Sequence, residues 1–311
     1  MTPFYAAADW GTSTFRLWLV STEGQVIAER NSDQGLAVAA TSGFAQILED
    51  HLDALAAPKD LPVMICGMAG ARQGWREAPY LSVPAALSDI CDNAVEIDGS
   101  QRRICILPGV ASHDPVTPDV MRGEETSLLG NHADSDTMYL ACLPGTHSKW
   151  VQIDEGAIVS FSTFMTGELF GLLAKHSILK HAVDGHSQIH RESRYFAEGV
   201  KAGYSNPEEI TSHLFSIRAG QLLQGRTGQD GYDRLSGLLV GCEIGGARVR
   251  FGQTENLRLI ASGHLASIYD TAFELLDMPV TTVDAHQAVL DGLGIAARRL
   301  FRSHAGSGGG L

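Results

Sequence analysis

The chain has 311 residues, which is enough for two domains with separate cores. Its composition, 44% hydrophobic and 19% charged, is typical of a soluble protein, and no apolar run reaches the roughly 18 residues that a membrane helix needs. The formal net charge of −13 argues against a general surface for nucleic acid or anionic membranes, so an anionic substrate would need local Arg or Lys side chains.

The first half of the chain alternates predicted strands and helices. Short apolar or alternating segments bounded by turn residues predict strands over 4–8, 15–20, 26–30, 61–66 and 103–107. Apolar residues at helical spacing predict a helix over 43–57, and a second helix begins at Glu124 and runs to Asn131. The short polar stretch 132–137 separates this block from the next strand. We therefore predict two domains, 1–133 and 134–311.

The second half continues the same alternation. Strands are predicted over 138–143, 258–262 and 280–283, and helical segments over about 167–225, 265–276 and 288–302. The Gly-rich end, 306–311, is expected to be a disordered tail. Strands and helices that alternate in both halves indicate an α/β protein.

One pattern occurs twice. Asp9-Trp-Gly-Thr-Ser-Thr and Leu143-Pro-Gly-Thr-His-Ser-Lys are each followed by a strand, a Glu-Gly turn and another strand. Glycine lets the backbone approach a phosphate, and the following N–H groups and hydroxyls can donate to its oxygens. We therefore predict two related domains that bind one polyphosphate. The predicted phosphate-binding residues are Gly11, Thr12, Ser13 and Thr14 in the first copy, and Gly145, Thr146, His147, Ser148 and Lys149 in the second.

Asp9 ends the strand before the first loop and is the candidate metal ligand. A carboxylate beside a phosphate loop can hold Mg²⁺ against nucleotide phosphates, directly or through water. The alternative is a turn Asp that accepts hydrogen bonds from its own backbone. The Gly-Thr-Ser-Thr run that follows favours the metal. For Lys149, a cation near the phosphates and a side chain on a strand edge are equally compatible with the pattern.

Acidic residues gather at a predicted loop-to-helix junction. Asp119, Glu124 and Glu125 lie around Gly123. Carboxylates in the first helical turn complement the helix dipole, and one of them could also accept the proton of a hydroxyl nucleophile. The pattern favours a functional role for this junction.

A Gly-rich segment after the strand that ends at Cys66 carries planar donors. Arg72 could bind a carboxylate through two hydrogen bonds, while Gln73 and Trp75 could recognise a polyol. The alternative is a solvated loop with a packed Trp. The five cysteines are widely spaced without a Cys-x-x-Cys pair, and the N-terminus has no signal-peptide pattern, so we expect reduced thiols and a cytoplasmic location.

Six segments together resemble one family, the 2-dehydro-3-deoxygalactonokinases, over almost the whole chain. They are DWGTSTFRLW, CGMAGARQGWREAPY, DVMRGEETSLLG, LPGTHSKWV, FMTGELF and LIASGH. That family is similar to the actin, hexokinase and heat-shock ATPase superfamily. The resemblance implies an actin-like ATPase fold, α/β, with two domains of related ribonuclease H-like topology and a nucleotide cleft between them. It assigns sugar acid and phosphate to domain 1–133 and nucleotide to domain 134–311.

The resemblance also implies a reaction. ATP would phosphorylate the C6 hydroxyl of 2-dehydro-3-deoxy-D-galactonate, with Mg²⁺, in D-galactonate breakdown. The partners implied are a small-molecule sugar acid without nucleic acid or membrane, and a homodimer is compatible with the sequence. Rival hypotheses are a kinase for another acid, such as 2-dehydro-3-deoxygluconate, and a non-catalytic sensor of the same fold.

Further site residues follow from the resemblance. Gly263 would lie near the adenosine, and Gly241 would line the same side. Related sugar kinases carry a catalytic Asp after Gly where this chain has Gly123-Glu124, so Glu124 is the first candidate for the general base and Asp119 the second.

The carboxylate of the sugar acid needs a cation. Arg72 is the first candidate for it, and Arg122 and Arg16 are the alternatives.

Overall fold

The computed structural model describes residues 1–133, 138–185, 188–253 and 255–302. The chain divides into two compact units, one of Met1–Thr137, Asp154–Ser160 and Ala285–Leu311, the other of Met138–Ile153 and Phe161–Asp284. This division differs from the predicted one, because residues 154–160 and the C-terminal helix belong to the first unit. The predicted tail, 306–311, lies outside the described residues.

Residues 1–133 form ten strands and four helices among those described. The strands are β1 (Pro3–Trp10), β2 (Phe15–Ser21), β3 (Val26–Ser32), β4 (Val63–Gly67), β5 (Leu81–Ser82), β6 (Ala85–Ala86), β7 (Val95–Glu96), β8 (Ile104–Ile106), β9 (Val110–Ser112) and β10 (Asp119–Met121). The helices are α1 (Leu36–Ser42), α2 (Phe44–Ala54), α3 (Leu87–Asp92) and α4 (Glu124–Asn131). All five predicted strands and both predicted helices of this half are present.

The described residues from 138 onward form five strands and seven helices. The strands are β11 (Met138–Leu143), β12 (Ser148–Asp154), β13 (Ala157–Phe164), β14 (Leu257–Ala261) and β15 (Thr281–Asp284). The helices are α5 (Thr166–His176), α6 (Lys180–Val183), α7 (Arg194–Ser205), α8 (Ile210–Gln224), α9 (Gly228–Phe251), α10 (Gly263–Leu275) and α11 (Ala285–Arg302). The long helix α9 was not predicted.

The two units repeat one strand order. The first sheet runs β3-β2-β1-β4-β8-β7, with β1 antiparallel to β2 and parallel to β4. The second sheet contains the order β13-β12-β11-β14-β15, with β14 parallel to both β11 and β15. In each of these orders three consecutive strands come first in the chain, and later strands, three in the first sheet and two in the second, extend the sheet beside its first strand. The predicted α/β fold with two related ribonuclease H-like units is confirmed.

The strands form where apolar residues can be buried against helices. In the first unit, Trp10 packs on Phe15 and Phe44, with ring centroids 4.4 and 4.9 Å away. In the second unit, Trp150 of β12 packs on Phe273 of α10 in a separate core. In each unit the close packing of these aromatic rings fixes the strands beside the Gly-Thr loop, and this holds the loop in position.

Glycines bring α7 and α9 of the second unit into close contact. A Cβ on Gly241 would lie 2.1 Å from the Val200 carbonyl oxygen, and one on Gly203 would lie 2.3 Å from the Leu238 carbonyl oxygen. Only glycine allows the two backbones to approach this closely. Among the helices of the described ranges, none is both long and apolar enough to cross a bilayer.

Candidate active site

Asp9 lies at the end of β1 between polar residues of two neighbouring strands. The strand registers place Arg16 opposite it on β2 and Cys66 beside it on β4. Arg16 Nη2 is 3.6 Å from Asp9 Oδ2, and Cys66 Sγ donates to Asp9 Oδ1 at 3.8 Å. Burial raises the pKa of the Asp9 carboxyl, and the Arg16 charge partly offsets this effect. A cation that approached Asp9 would stabilise its charged form.

The first loop presents its hydroxyls to solvent. The Gly11 N–H donates to the Thr14 carbonyl oxygen at 2.8 Å, which closes a tight turn. A Cβ on Gly35, before α1, would lie 2.4 Å from the Thr12 carbonyl oxygen, so the loop rests on the start of α1. Thr12, Ser13 and Thr14 are exposed. The predicted phosphate loop is thus a supported turn whose hydroxyls can reach a ligand.

An open cavity of about 380 Å³ lies beside this loop. Its lining includes Thr14 and Arg16 together with Asn31 of β3 and His286 of α11. Asn31 is the register partner of Arg16, so the hairpin aligns Asp9, Arg16 and Asn31 across three strands. Sequence reasoning missed Asn31 and His286, although the hairpin spacing would have located Asn31.

Two glycines bring the remaining first-unit motifs next to Asp9. Gly67, at the end of β4, has φ +86°, and a Cβ there would lie 2.5 Å from the Trp10 carbonyl oxygen and 3.5 Å from Asp9 Oδ1. Gly123, before α4, has φ +112°, and a Cβ there would lie 3.6 Å from the Gly67 Cα. Side chains would be strained at both positions. The segments around Asp9, Gly67 and Gly123 therefore converge on one place.

The three acidic residues of the third motif have different surroundings. Glu124 is half-buried at the start of α4, and its Oε2 accepts from the Arg122 N–H at 3.1 Å. Glu125 is 0% exposed, and its two carboxylate oxygens lie 2.9 and 2.7 Å from the Gly123 nitrogen. Asp119 belongs to β10, and its Oδ1 accepts from the Val120 N–H at 2.8 Å. Of the three, Glu124 is the carboxylate held at the start of α4 and still partly accessible.

Burial dominates the electrostatics of Glu125. Burial, together with the neighbouring Glu124 charge, raises the pKa of that carboxyl from 4.5 to about 8, and the Gly123 N–H partly offsets this effect. The sequence analysis did not recognise that Glu125 is buried and Glu124 is not. Leu128 and Leu129 could have indicated it, because they lie three and four residues after Glu125 and therefore share its face of α4, which is the buried one.

The candidate cations for a carboxylate also differ. Arg122 Nη2 donates to the Ala78 carbonyl oxygen at 2.7 Å, and its guanidinium carbon is 4.3 Å from the Tyr80 ring centroid. Its Nε and Nη1 are buried without a hydrogen-bond partner among the described residues. Arg72 is exposed, and Arg16 faces Asp9. Among Arg16, Arg72 and Arg122, it is Arg122 that has two buried guanidinium nitrogens without a hydrogen-bond acceptor among the described residues.

The other residues of the Gly-rich segment are placed differently. Gln73 is exposed. The half-buried Trp75 ring stacks on Phe44, with 6.1 Å between centroids, and meets the edge of Trp10. Trp75 was predicted either to recognise a polyol or to pack against the protein, and its position fits the second interpretation. This ring extends the first core, which leaves polyol recognition to neighbouring polar groups.

The second loop is supported by α5. The Gly145 N–H donates to Ser148 Oγ at 3.3 Å, and the Glu168 N–H donates to the Thr146 carbonyl oxygen at 3.0 Å. His147 Nε2 lies 2.5 Å from a carboxylate oxygen of Glu168. Thr146 and His147 are exposed, while Ser148 is buried. Lys149 is 5% exposed, and its Nζ donates to the His147 carbonyl oxygen at 3.2 Å, so it braces the loop from within.

Two glycines predicted near the adenosine have different positions. Gly263 is the first residue of α10, has φ +60°, and a Cβ there would meet no atom within 4 Å. Gly241 lies in the middle of α9 against Val200 of α7. Helix packing is sufficient to explain this glycine, and its place near the adenosine stays a prediction.

Sequence reasoning missed Glu243, a buried acid of the second unit. It is 2% exposed on α9, and Trp150, Thr166 and Tyr269 donate to its carboxylate. The sequence pattern that could have indicated Glu243 is a single acid within an apolar, Gly-rich run. Such an acid is expected to have hydrogen-bond partners, since Glu is almost never fully buried without them.

Two units of this sheet order, each carrying a Gly-Thr hairpin loop, place the protein in the actin-like ATPase fold class. Residues 9–296 match the family model described as 2-keto-3-deoxy-galactonokinase. A probable 2-dehydro-3-deoxygalactonokinase of Rhizobium meliloti (strain 1021) is 49% identical over 299 residues, or 96% of this chain and 98% of that relative. The 2-dehydro-3-deoxygalactonokinase of Escherichia coli (strain K12) is 34% identical over 294 residues, or 94% of this chain and 97% of that relative.

A solved structure agrees with these relationships. The crystal structure of a protein from Sinorhizobium meliloti, designated as a candidate 2-dehydro-3-deoxygalactonokinase, superposes with a TM-score of 0.93. It is 48% identical and covers 96% of this chain and 99% of its own. The chain belongs to the 2-keto-3-deoxy-galactonokinase family. The resemblance noted from the six motifs is thereby confirmed.

Proposed function

We propose that the protein transfers the γ-phosphoryl group of ATP to the C6 hydroxyl of 2-dehydro-3-deoxy-D-galactonate, giving the 6-phosphate and ADP in D-galactonate breakdown. The observation that carries this proposal is the family match over residues 9–296. The convergence of the Asp9, Gly67 and Gly123 segments supports it, because the matched region brings a loop, a carboxylate and a cation together. The substrate is the one named for both curated relatives.

The two loops are proposed to bind phosphates by similar means. In the first unit, the backbone N–H groups and exposed hydroxyls of Thr12, Ser13 and Thr14 donate to phosphate oxygens. In the second unit, Gly145 to His147 form the corresponding loop, and Lys149 holds its backbone. Gly263 keeps the start of α10 free of side-chain atoms, which suits close approach of the adenosine.

The surroundings of Asp9 fit Mg²⁺. This ion is usually held in proteins by one or two carboxylates together with substrate phosphates and waters, so a single partly exposed Asp is a suitable donor. Among the described residues no group of three metal-binding side chains occurs, which agrees with a site completed by the nucleotide. When bound, Mg²⁺ would neutralise phosphate charge. Arg16 supports the same charge balance from the neighbouring strand.

Glu124 and Arg122 are proposed for the sugar acid. The two unused Arg122 donors bind its carboxylate, and Tyr80 and Ala78 hold the guanidinium in place. Glu124 accepts the proton of the C6 hydroxyl as that oxygen attacks the γ-phosphorus. The Arg122 N–H and the start of α4 orient Glu124. Asp119 and Arg72 stay as the second candidates for these roles, with Arg16 and Gln73 as further polar contacts.

The decisive experiment measures ADP release by the full chain with ATP and Mg²⁺. The acceptor panel contains 2-dehydro-3-deoxy-D-galactonate, its C4 epimer 2-dehydro-3-deoxy-D-gluconate, several aldonic acids and a blank without acceptor. We expect the galactonate derivative to give the highest kcat/KM, and NMR of the product to place the phosphate on C6. A preference for the epimer would reassign the substrate. ADP release that no acceptor stimulates would favour a sensor.

A further inference from the structure

A buried carboxylate beneath the second loop connects three elements of the second unit. Glu243 of α9 accepts from Trp150 Nε1 of β12 at 2.9 Å and from the Tyr269 hydroxyl of α10 at 2.7 Å. Thr166 Oγ1, on the first residue of α5, donates to the same carboxylate. Trp150 and Tyr269 are 1% and 2% exposed, so water does not compete for these hydrogen bonds.

Two routes lead from this carboxylate to the second loop. Along the first, the Tyr269 hydroxyl is 3.3 Å from Ser148 Oγ, which accepts from the Gly145 N–H at 3.3 Å. Along the second, Thr166 fixes the start of α5, and the Glu168 N–H there donates to the Thr146 carbonyl oxygen at 3.0 Å. A Cβ on Gly167 would lie 2.6 Å from the Gly145 carbonyl oxygen, so α5 and the loop touch through backbone atoms.

We propose that Glu243 is a positioning residue that sets the conformation of the second loop, residues 145–148, for binding nucleotide phosphates. This inference rests on the proposed function, which assigns those residues to the nucleotide. Both routes end on the backbone of residues 145 and 146, so displacement of the carboxylate would move the groups that approach a phosphate. Glu243 acts through Tyr269 and Thr166 and does not contact the nucleotide itself. Loss of its partners is therefore expected to change affinity for nucleotide and leave affinity for the sugar acid unchanged.

The test uses full-length variants and MgADP binding by calorimetry without sugar acid. Tyr269→Phe removes the hydroxyl that joins Glu243 to Ser148, and Glu243→Leu removes all the acceptors. Glu243→Gln keeps the shape and one carbonyl oxygen. Asp233→Asn is the matched control, because Asp233 is 1% exposed on the same helix and accepts from the His190 N–H and from Gln229. Its substitution disturbs a buried acid of α9 without touching either route.

Tyr269→Phe should raise the MgADP dissociation constant about tenfold, the factor that follows from losing the net worth of one hydrogen bond. Glu243→Gln should bind better than Glu243→Leu, and Asp233→Asn should bind like wild type even if its melting temperature falls. The KM for the sugar acid should stay within about twofold in every folded variant. The turnover number can fall as well, because a 1 Å misplacement of the reacting groups lowers the rate about 10²-fold.

Three results would overturn the inference. The first is wild-type affinity for MgADP in both Tyr269→Phe and Glu243→Gln, which remain informative if Glu243→Leu does not fold. The second is an equal loss of affinity in Asp233→Asn, which would indicate general destabilisation. The third is wild-type protein that does not bind MgADP at all, which would overturn the proposed function as well. Binding by wild type together with unaffected variants would overturn only the role of Glu243.

Discussion

Replacing Glu125 by Gln should change how the stability of the protein depends on pH. Burial raises the pKa of Glu125 from 4.5 to about 8, so the folded state binds a proton that the unfolded state releases between these values. The stabilising contribution is therefore complete below pH 4.5 and is lost as the pH rises to about 8. The difference between the two pKa values corresponds to roughly 5 kcal/mol as an upper limit. The amide that Glu125→Gln introduces does not titrate, and its oxygen can still accept from the Gly123 N–H.

The assay is denaturant unfolding of wild type and Glu125→Gln at several pH values from 5 to 9, followed by tryptophan fluorescence. Trp10, Trp18 and Trp75 report on the first unit, which contains Glu125. We expect the free energy of unfolding of the variant, relative to wild type, to rise by several kcal/mol between pH 5 and 8.5. The exposed Glu77→Gln controls for the loss of a negative charge. A relative stability that stays constant over this range would refute the argument that burial controls Glu125.

Three further predictions concern the proposed site and its supports. Glu124→Gln should lower kcat by roughly 10²–10⁴-fold with little change in KM, and near-normal turnover would remove Glu124 from the role of general base. Arg122→Met should raise the KM for the sugar acid by about 10–100-fold, since a hydrogen bond to a charged group contributes about 1.5–3 kcal/mol. Arg72→Ala should raise this KM less. A larger effect of Arg72→Ala would instead assign the carboxylate of the sugar acid to Arg72. Gly241→Ala should destabilise the protein by about 1–3 kcal/mol without weakening ATP binding. The control Gly171→Ala, in open space on α5, should not destabilise it. Weaker ATP binding by a stable Gly241→Ala would support the predicted position of Gly241 beside the adenosine.

The hairpins could be predicted because their signals are local. Strands rich in apolar residues flank each Gly-Thr loop, and the second hairpin turns at Glu155 and Gly156, whose φ angles are +45° and +74°. The helix α9 escaped prediction for the opposite reason. Its glycines lower helix propensity, and they are there because α7 packs against them. That contact joins residues some 40 positions apart, and its trace in the sequence is glycine at every fourth position, 237, 241 and 245, rather than a stripe of large apolar residues.

The site shows the same limit. The motifs around Asp9, Gly67 and Gly123 were predicted to carry the chemistry, and the structure brings them together. The choice among Arg16, Arg72 and Arg122 could not be made from sequence. It depends on burial, and the Arg122 guanidinium is buried by residues such as Tyr80 and Ala78 that lie more than 40 positions earlier.

The differences between the two hairpins support the proposal that charge chemistry belongs to the first. The positions of Asp9 and Arg16 in the first copy correspond to Leu143 and Trp150 in the second, counted from the loop glycine. Where Asp9 faces Arg16 and can meet a cation, Leu143 and Trp150 are buried apolar side chains, 6% and 1% exposed. The Trp150 ring instead directs its N–H inward to Glu243. The second hairpin thus has an internal hydrogen-bond network where the first has a partly buried charged pair, and we propose that it binds phosphate through its backbone and the exposed Thr146 and His147.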